Sequence, residues 1–221
     1  MRELLLAMAI SLQGYYAILD VKGSSWDATA TLQHAGELLS AKPCCLQLRA
    51  KQLGLADLCK IGHALRALCT HWHVPLCVND RLDVALAVEA DVIHLGQNDL
   101  PLAEVLRVRK AACAELLSVG ISTHDIEQAR AAAVGGADYI GFGPVFPTQT
   151  KADADPAVGL VALGEVAAAV RIPVVAIGGI TLDNVAEVAR AGASAAAVIA
   201  AVEGAPDRTL AGRRIALAFG V

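Results

Sequence analysis

Aromatic side chains are scarce, 4% of 221 residues, while Ala, Val and Leu dominate an apolar content of 56%. That balance argues against a sandwich and suits helices packed on a buried parallel sheet. None of the six cysteines, Cys44, Cys45, Cys59, Cys69, Cys77 and Cys113, forms a Cys-x-x-Cys pair. Most lie in apolar runs and read as free thiols of a cytoplasmic protein. The segment Cys69-Thr70-His71-Trp72-His73 matches no zinc spacing and reads as a helix end.

No long run of like charge appears among 18 basic and 22 acidic residues, net charge −4. An extended nucleic-acid or acidic-lipid face is thereby excluded, and an anionic partner must be held by a local site. No apolar stretch reaches the ~18 to 20 residues that cross a bilayer, so no membrane partner is expected. Residues 1–14 read as a lead-in segment. Its apolar start is interrupted by Glu3 and lacks the flanking charge and cleavage site of a targeting peptide. No composition break divides the chain, so 1–221 is expected to form a single domain with room for a homo-oligomer.

What the sequence does contain is one pattern repeated eight times: a short apolar run, a polar or glycine cluster, then helical periodicity. The runs are Tyr15 to Asp20, Cys44 to Arg49, Pro75 to Asn79, Asp91 to Leu95, Leu116 to Ile121, Asp138 to Phe142, Pro173 to Ile177 and Ala195 to Ile199. Between them, Leu55, Leu58, Ile61, Leu65 and Leu68 recur at helical spacing, and Pro101 is placed at a helix start. Asp27 is placed to cap one helix, and Ser122, Thr123 or Asp125 to cap another. The alternation predicts an α/β fold, a (β/α)₈ TIM barrel, with a doubly wound open sheet as the alternative.

In either architecture the strand ends share one face, so their polar clusters are the candidate site. Gln47, Arg49 and Lys51 alternate along the second strand and share one side of it, a cationic arrangement that calls for an anion. Asp80 follows the third strand and Asp99 the fourth. Two carboxylates without His or thiolate suit Mg²⁺, although either could instead cap the following helix. Gly178-Gly179 and the end of strand eight could hold a phosphate on backbone amides, with Thr148, Thr150 and Lys151 adding hydroxyls and a cation. The charged stretch Pro144 to Val158 reads as a mobile active-site loop. His94 reads as a packed strand residue and His124 as a helix-start residue.

Six ordered segments resemble the thiamine-phosphate synthase family: Gln47-Leu48-Arg49-Ala50-Lys51, Val78-Asn79-Asp80, His94-Leu95-Gly96-Gln97-Asn98-Asp99, Gly120 to His124, Gly143 to Lys151, and Ala176 to Ile180. The resemblance implies a transferase on a (β/α)₈ barrel. Its small-molecule substrates would be 4-amino-5-hydroxymethyl-2-methylpyrimidine diphosphate and a plain or carboxylated thiazole ethyl phosphate, its products thiamine phosphate and pyrophosphate. It further implies Gln47, Arg49, Lys51, Asn79, Ser122 and Lys151 at the pyrimidine diphosphate, with Arg49, Lys51, Ser122 and Lys151 serving the chemistry. Asp80 and Asp99 would hold Mg²⁺, and Thr148, Thr150, Gly179, Ile199 and Ala200 the thiazole phosphate. The chain departs from the family pattern at Ala50, Asn98 and Ala200, where an acidic residue, Glu and Ser are usual. Two rival functions remain: a thiazole tautomerase on the same barrel, and a non-catalytic barrel that binds a thiamine precursor.

Overall fold

The computed structural model describes residues 10–148 and 156–221. Eight parallel strands close into a barrel: β1 Gly14–Asp20, β2 Cys45–Arg49, β3 Leu76–Asn79, β4 Val92–Leu95, β5 Ser118–Thr123, β6 Tyr139–Phe142, β7 Val174–Ile177 and β8 Ala195–Val198. Pairing of Gly14 with Ala195 through Ala17 with Val198 joins the first strand to the last. That closure bears out the barrel and excludes the open sheet.

Nine helices are found among the described residues: α1 Ala28–Ser40, α2 Leu55–Trp72, α3 Leu82–Ala87, α4 Leu102–Ala111, α5 Ile126–Gly135, α6 Gly159–Ala169, α7 Val185–Arg190, α8 Ala200–Glu203 and α9 Arg208–Ala218. The Asp27 carboxylate accepts from the Ala30 amide to cap α1, and Asp125, rather than Ser122 or Thr123, caps α5 through the Gln128 amide. Pro101 sits one residue before α4 and leaves its side chain out of the cap. Helix α2 ends on His73 at φ 55, its amide returning to the Cys69 and Thr70 carbonyls. Cys45, Cys69 and Cys77 are buried and free, and Cys113 is exposed.

All strands but the fifth lie within one residue of their expected bounds, and two of the differences have a visible cause. The fifth strand begins at Ser118 and runs to Thr123, because Leu117 is taken into a turn with Ala114 and the Thr123 hydroxyl donates to the Gly141 carbonyl. The eighth stops at Val198. Ile199 already has helical angles and precedes α8, a one-turn helix that the continuous apolar run hides.

Strand pleating sorts the core into two layers. Tyr15, Ala17, Leu19, Leu46 and Leu48 face the helices, whereas Tyr16, Ile18, Cys45, Cys77, Val92, Tyr139 and Val175 fill the barrel. Ala50 packs with the outer layer, away from Gln47 and Arg49. Loss of the acidic side chain usual there is thus absorbed outside the barrel mouth. Of the N-terminal segment, residues 1–9 lie outside the described residues; Leu12 is buried with the barrel interior.

Candidate active site

The C-terminal ends of the strands surround a cavity of about 250 Å³. Every described candidate lines it: Gln47, Arg49, Lys51, Asn79, Asp80, Asp99, Ser122, Thr148, Gly179, Ile199 and Ala200. Thr150 and Lys151 lie outside the described residues.

On one side, Gln47 and Arg49 emerge from the same face of β2, and Lys51 follows just past its end. Arg49 is paired with Asp20, its register partner on β1. Lys51 Nζ lies 3.4 Å from Asp80 Oδ2, with half its side chain exposed. Such an exposed pair contributes about 1 kcal/mol or less, so Lys51 can exchange Asp80 for a ligand anion at little cost.

The two aspartates are not helix caps. Asp80 stands at φ 63, its amide bound to the His94 carbonyl at 2.8 Å, and α3 starts after it without a side-chain cap. Asp99 Oδ2 accepts from the Gly96 amide at 2.6 Å, closing the 96–99 turn, and α4 also lacks a side-chain cap. Burial, reinforced by the charge of Asp80, holds the Asp99 carboxyl above its ordinary value of 3.8, against the opposing pull of the Gly96 amide. Two cations, Arg49 and Lys51, thus stand among three carboxylates, Asp20, Asp80 and Asp99. A divalent cation fits this excess of negative charge. The oxygen-only donor set suits Mg²⁺, which keeps several waters and bridges to phosphates. Among the described residues no group of three or more His, Cys, Asp or Glu gathers as a metal cage.

The raised Asp99 carboxyl has a consequence for metal-free protein. Asp99 binds its proton more tightly folded than unfolded, so its stabilising contribution is fully present below pH 3.8 and is lost as pH rises through its raised value. Melting temperatures in chelator should therefore show wild type losing ground to Asp99→Asn as pH increases through that window. A pH-independent difference between the two would contradict the assignment.

Across the cavity, Gly178 at φ +96 and Gly179 at φ +63 form the corner after β7. A Cβ on Gly178 would stand 2.4 Å from Pro144 Cβ, and one on Gly179 2.5 Å from the Pro147 carbonyl oxygen. The sixth loop therefore lies directly on this corner. Val145 and Phe146 donate to the Ile177 and Gly178 carbonyls at 2.8 and 3.0 Å, and Val158 returns to Pro144 at 2.8 Å. These bonds pin the base of the loop whose mobility was expected from the sequence; residues 149–155 lie outside the described residues. Ile199 and Ala200 complete the wall.

Several cavity or supporting residues escape the sequence reading. Asp20 ends β1 as Arg49 ends β2, and the register of the two strands makes them partners. Tyr16 and Tyr139 are inward-facing strand positions that look like ordinary core. His94, read as packing, is hydrogen-bonded to Tyr139 and Ser122, each at 2.9 Å, and burial pushes its imidazole down to about 4 against the pull of Asp99. His124 does precede α5, with its amide on Gln128, but its Nδ1 also lies 2.6 Å from the Gly143 carbonyl at the cavity wall.

Residues 15–202 match the family model described as thiamine monophosphate synthase. The chain belongs to this family. It is 48% identical over 187 residues to the thiamine-phosphate synthase of Methanospirillum hungatei, covering 84% of this chain and 88% of the relative. It is 43% identical over 200 residues to that of Roseiflexus castenholzii, covering 90% and 85%. Among solved structures, thiamine phosphate pyrophosphorylase from Pyrococcus furiosus superposes with a TM-score of 0.83 at 35% identity, covering 96% of this chain and 98% of that one. The expectation of a thiamine-phosphate synthase enzyme on a TIM barrel is borne out.

Proposed function

We propose that this enzyme joins 4-amino-5-hydroxymethyl-2-methylpyrimidine diphosphate to a thiazole ethyl phosphate, releasing thiamine phosphate and pyrophosphate. The observation that carries the reading is the placement of two anion-directed ends on one cavity. Arg49, Lys51, Asp80 and Asp99 form one end, and Thr148, Gly178, Gly179, Ile199 and Ala200 the other. Substrates held at the two ends meet between them, and pre-positioning of this kind lowers the barrier of a bimolecular step.

Asp80 and Asp99 would hold Mg²⁺, which when bound supplies positive charge against the leaving diphosphate. Arg49, Lys51 and Lys151 stabilise the negative charge that develops on the leaving oxygen as the carbon–oxygen bond breaks. Gln47, Asn79 and Ser122 orient the pyrimidine, whose amino group stabilises the resulting cation. The thiazole nitrogen attacks that cation, with Gly179, Thr148, Thr150 and the backbone at Ile199 and Ala200 holding its phosphate. With Ala200 in place of the usual Ser, backbone groups carry that contact without a hydroxyl. No protein nucleophile is required, and the walls of the cavity shield the cation from water. If the thiazole carries a carboxylate, carbon dioxide leaves as well.

The direct test is to incubate the protein with both substrates and Mg²⁺. Thiamine phosphate and pyrophosphate should appear in equal amounts. Isomerised thiazole without pyrophosphate would overturn the reading in favour of a tautomerase, and binding without turnover in favour of a regulatory barrel. In single-turnover experiments Lys151→Ala should raise the barrier of the chemical step by about 2 to 4 kcal/mol, the usual effect of losing one transition-state donor. An unchanged rate removes Lys151 from the leaving-group role.

A further inference from the structure

A hydrogen-bonded chain crosses the barrel interior and joins side chains from six strands. Gln47 Nε2 donates to the Tyr16 hydroxyl at 3.0 Å and points to Cys77 Sγ at 3.7 Å. Tyr16 and Tyr139 share a hydrogen bond of 3.1 Å; Tyr139 lies 2.9 Å from His94 Nδ1, and His94 Nε2 lies 2.9 Å from Ser122 Oγ. Both ends of the chain, Gln47 and Ser122, line the cavity.

One direction of these protons leaves a donor facing the cavity. The Cys77 thiol donates to the Val78 carbonyl, so its sulfur offers lone pairs to Gln47 and orients the amide nitrogen toward it. Both amide protons of Gln47 are then engaged, leaving Oε1 as an acceptor. With Tyr16, which accepts from Gln47, giving its one proton to Tyr139, Tyr139 gives its own to His94 Nδ1; the distances fit either direction. A His that accepts at Nδ1 is neutral with its proton on Nε2, and that proton goes to Ser122 Oγ. Ser122 is left with one hydroxyl proton that cannot return to His94 and is free for the cavity.

The chain is tightly seated. A Cβ on Gly120 would lie 2.1 Å from the Tyr139 ring, and one on Gly141 would lie 3.0 Å from His94 Cε1. Both rings therefore rest on strand backbone at glycine positions, which limits their rotation.

We propose that His94 is a positioning residue for the pyrimidine subsite: with Tyr16 and Tyr139 it fixes Ser122 as a donor while Gln47 remains an acceptor. That pair selects a ring presenting an amino group at one end and an unprotonated ring nitrogen at the other. The selection rests on the function proposed above, because the substrate's identity comes from it. A chain that only satisfies buried polar groups would stabilise the barrel without favouring either substrate.

Steady-state kinetics with both substrates and Mg²⁺ separate the two roles. His94→Asn keeps an acceptor for Tyr139 but loses the donor to Ser122. It should raise KM for the pyrimidine diphosphate about tenfold, the scale of one partly buried hydrogen bond, and leave KM for the thiazole phosphate unchanged. His94→Gln, whose amide nitrogen reaches toward Ser122, should recover most of the loss. The double variant His94→Asn, Ser122→Ala should be no worse than Ser122→Ala alone, since residues acting through one another are not additive. Tyr139→Phe retains the packed ring and should shift the same KM in the same direction, which keeps the test available if His94→Asn does not fold. Additive effects, an equal rise in both KM values, or an unaltered KM in Tyr139→Phe overturn the positioning role in an active enzyme. A wild type that makes no thiamine phosphate overturns the functional reading instead and takes this proposal with it.

Discussion

Asp80→Asn should abolish pyrophosphate release while the barrel melts close to wild type. The expected loss is roughly 10³-fold or more, because the proposed metal would supply several kcal/mol of transition-state charge stabilisation. Asn is the informative substitution. Asp80 stands at φ 63, a conformation Asn enters far more readily than Ala, for which the left-handed region costs about 1 to 2 kcal/mol. Asp80→Ala would thus mix the loss of charge with backbone strain. Removing the charge also relieves repulsion between Asp80 and Asp99, so stability without metal should hold or rise slightly. Magnesium-dependent thermal stabilisation, measured with pyrophosphate present, should disappear in the variant. Turnover at the wild-type rate with magnesium supplied would mean that the carboxylate pair is not the metal site.

Gly178→Ala should both destabilise the fold and damage the end of the cavity proposed for the thiazole phosphate. The new methyl would stand 2.4 Å from Pro144 Cβ and 2.5 Å from Pro144 Cα, one of these a backbone atom that cannot rotate away. The positive φ of +96 adds strain for any L side chain. Overpacking of about 1 to 3 kcal/mol and left-handed strain of about 1 to 2 kcal/mol give a combined cost of roughly 2 to 5 kcal/mol. For a chain of this size that corresponds to a drop in Tm of roughly 4 to 20 °C. Because Phe146 donates to the Gly178 carbonyl, the base of the sixth loop must shift with the corner. KM for the thiazole phosphate should rise more than KM for the pyrimidine diphosphate. A variant with wild-type Tm and both KM values unaltered would show that the corner and loop are not coupled.

Much of the site could be read from the sequence because strand alternation is a local property. The shared face of Gln47 and Arg49 and the outward turn of Ala50 follow from a period of two. The positions of Asp80 and Asp99 after consecutive strands follow from the order of the barrel. Their freedom from the helix ends could not be read this way, since an aspartate before a helix looks like a cap until the backbone angles are known. Asp80 escapes that role by its left-handed turn, and Asp99 by accepting from Gly96. Ile199 reads as strand in the sequence because apolar runs do not mark where extended angles give way to helical ones.

By itself the sequence determined the eightfold alternation, an α/β class and the polar residues at the strand ends, because these depend on periodicity and local turn chemistry; closure into a barrel rests on the pairing of β1 with β8. Tertiary structure alone decided which partners those residues take. Asp20 meets Arg49, Lys51 meets Asp80, and Tyr16, Tyr139 and His94 join Gln47 to Ser122. Tyr16 and Tyr139 are separated by 123 residues, and no local pattern records a distance that only closure of the barrel creates. The scarce aromatic residues show this most clearly: their small number favoured a helix-covered sheet, while barrel closure placed two of the three tyrosines in the hydrogen-bonded chain between Gln47 and Ser122.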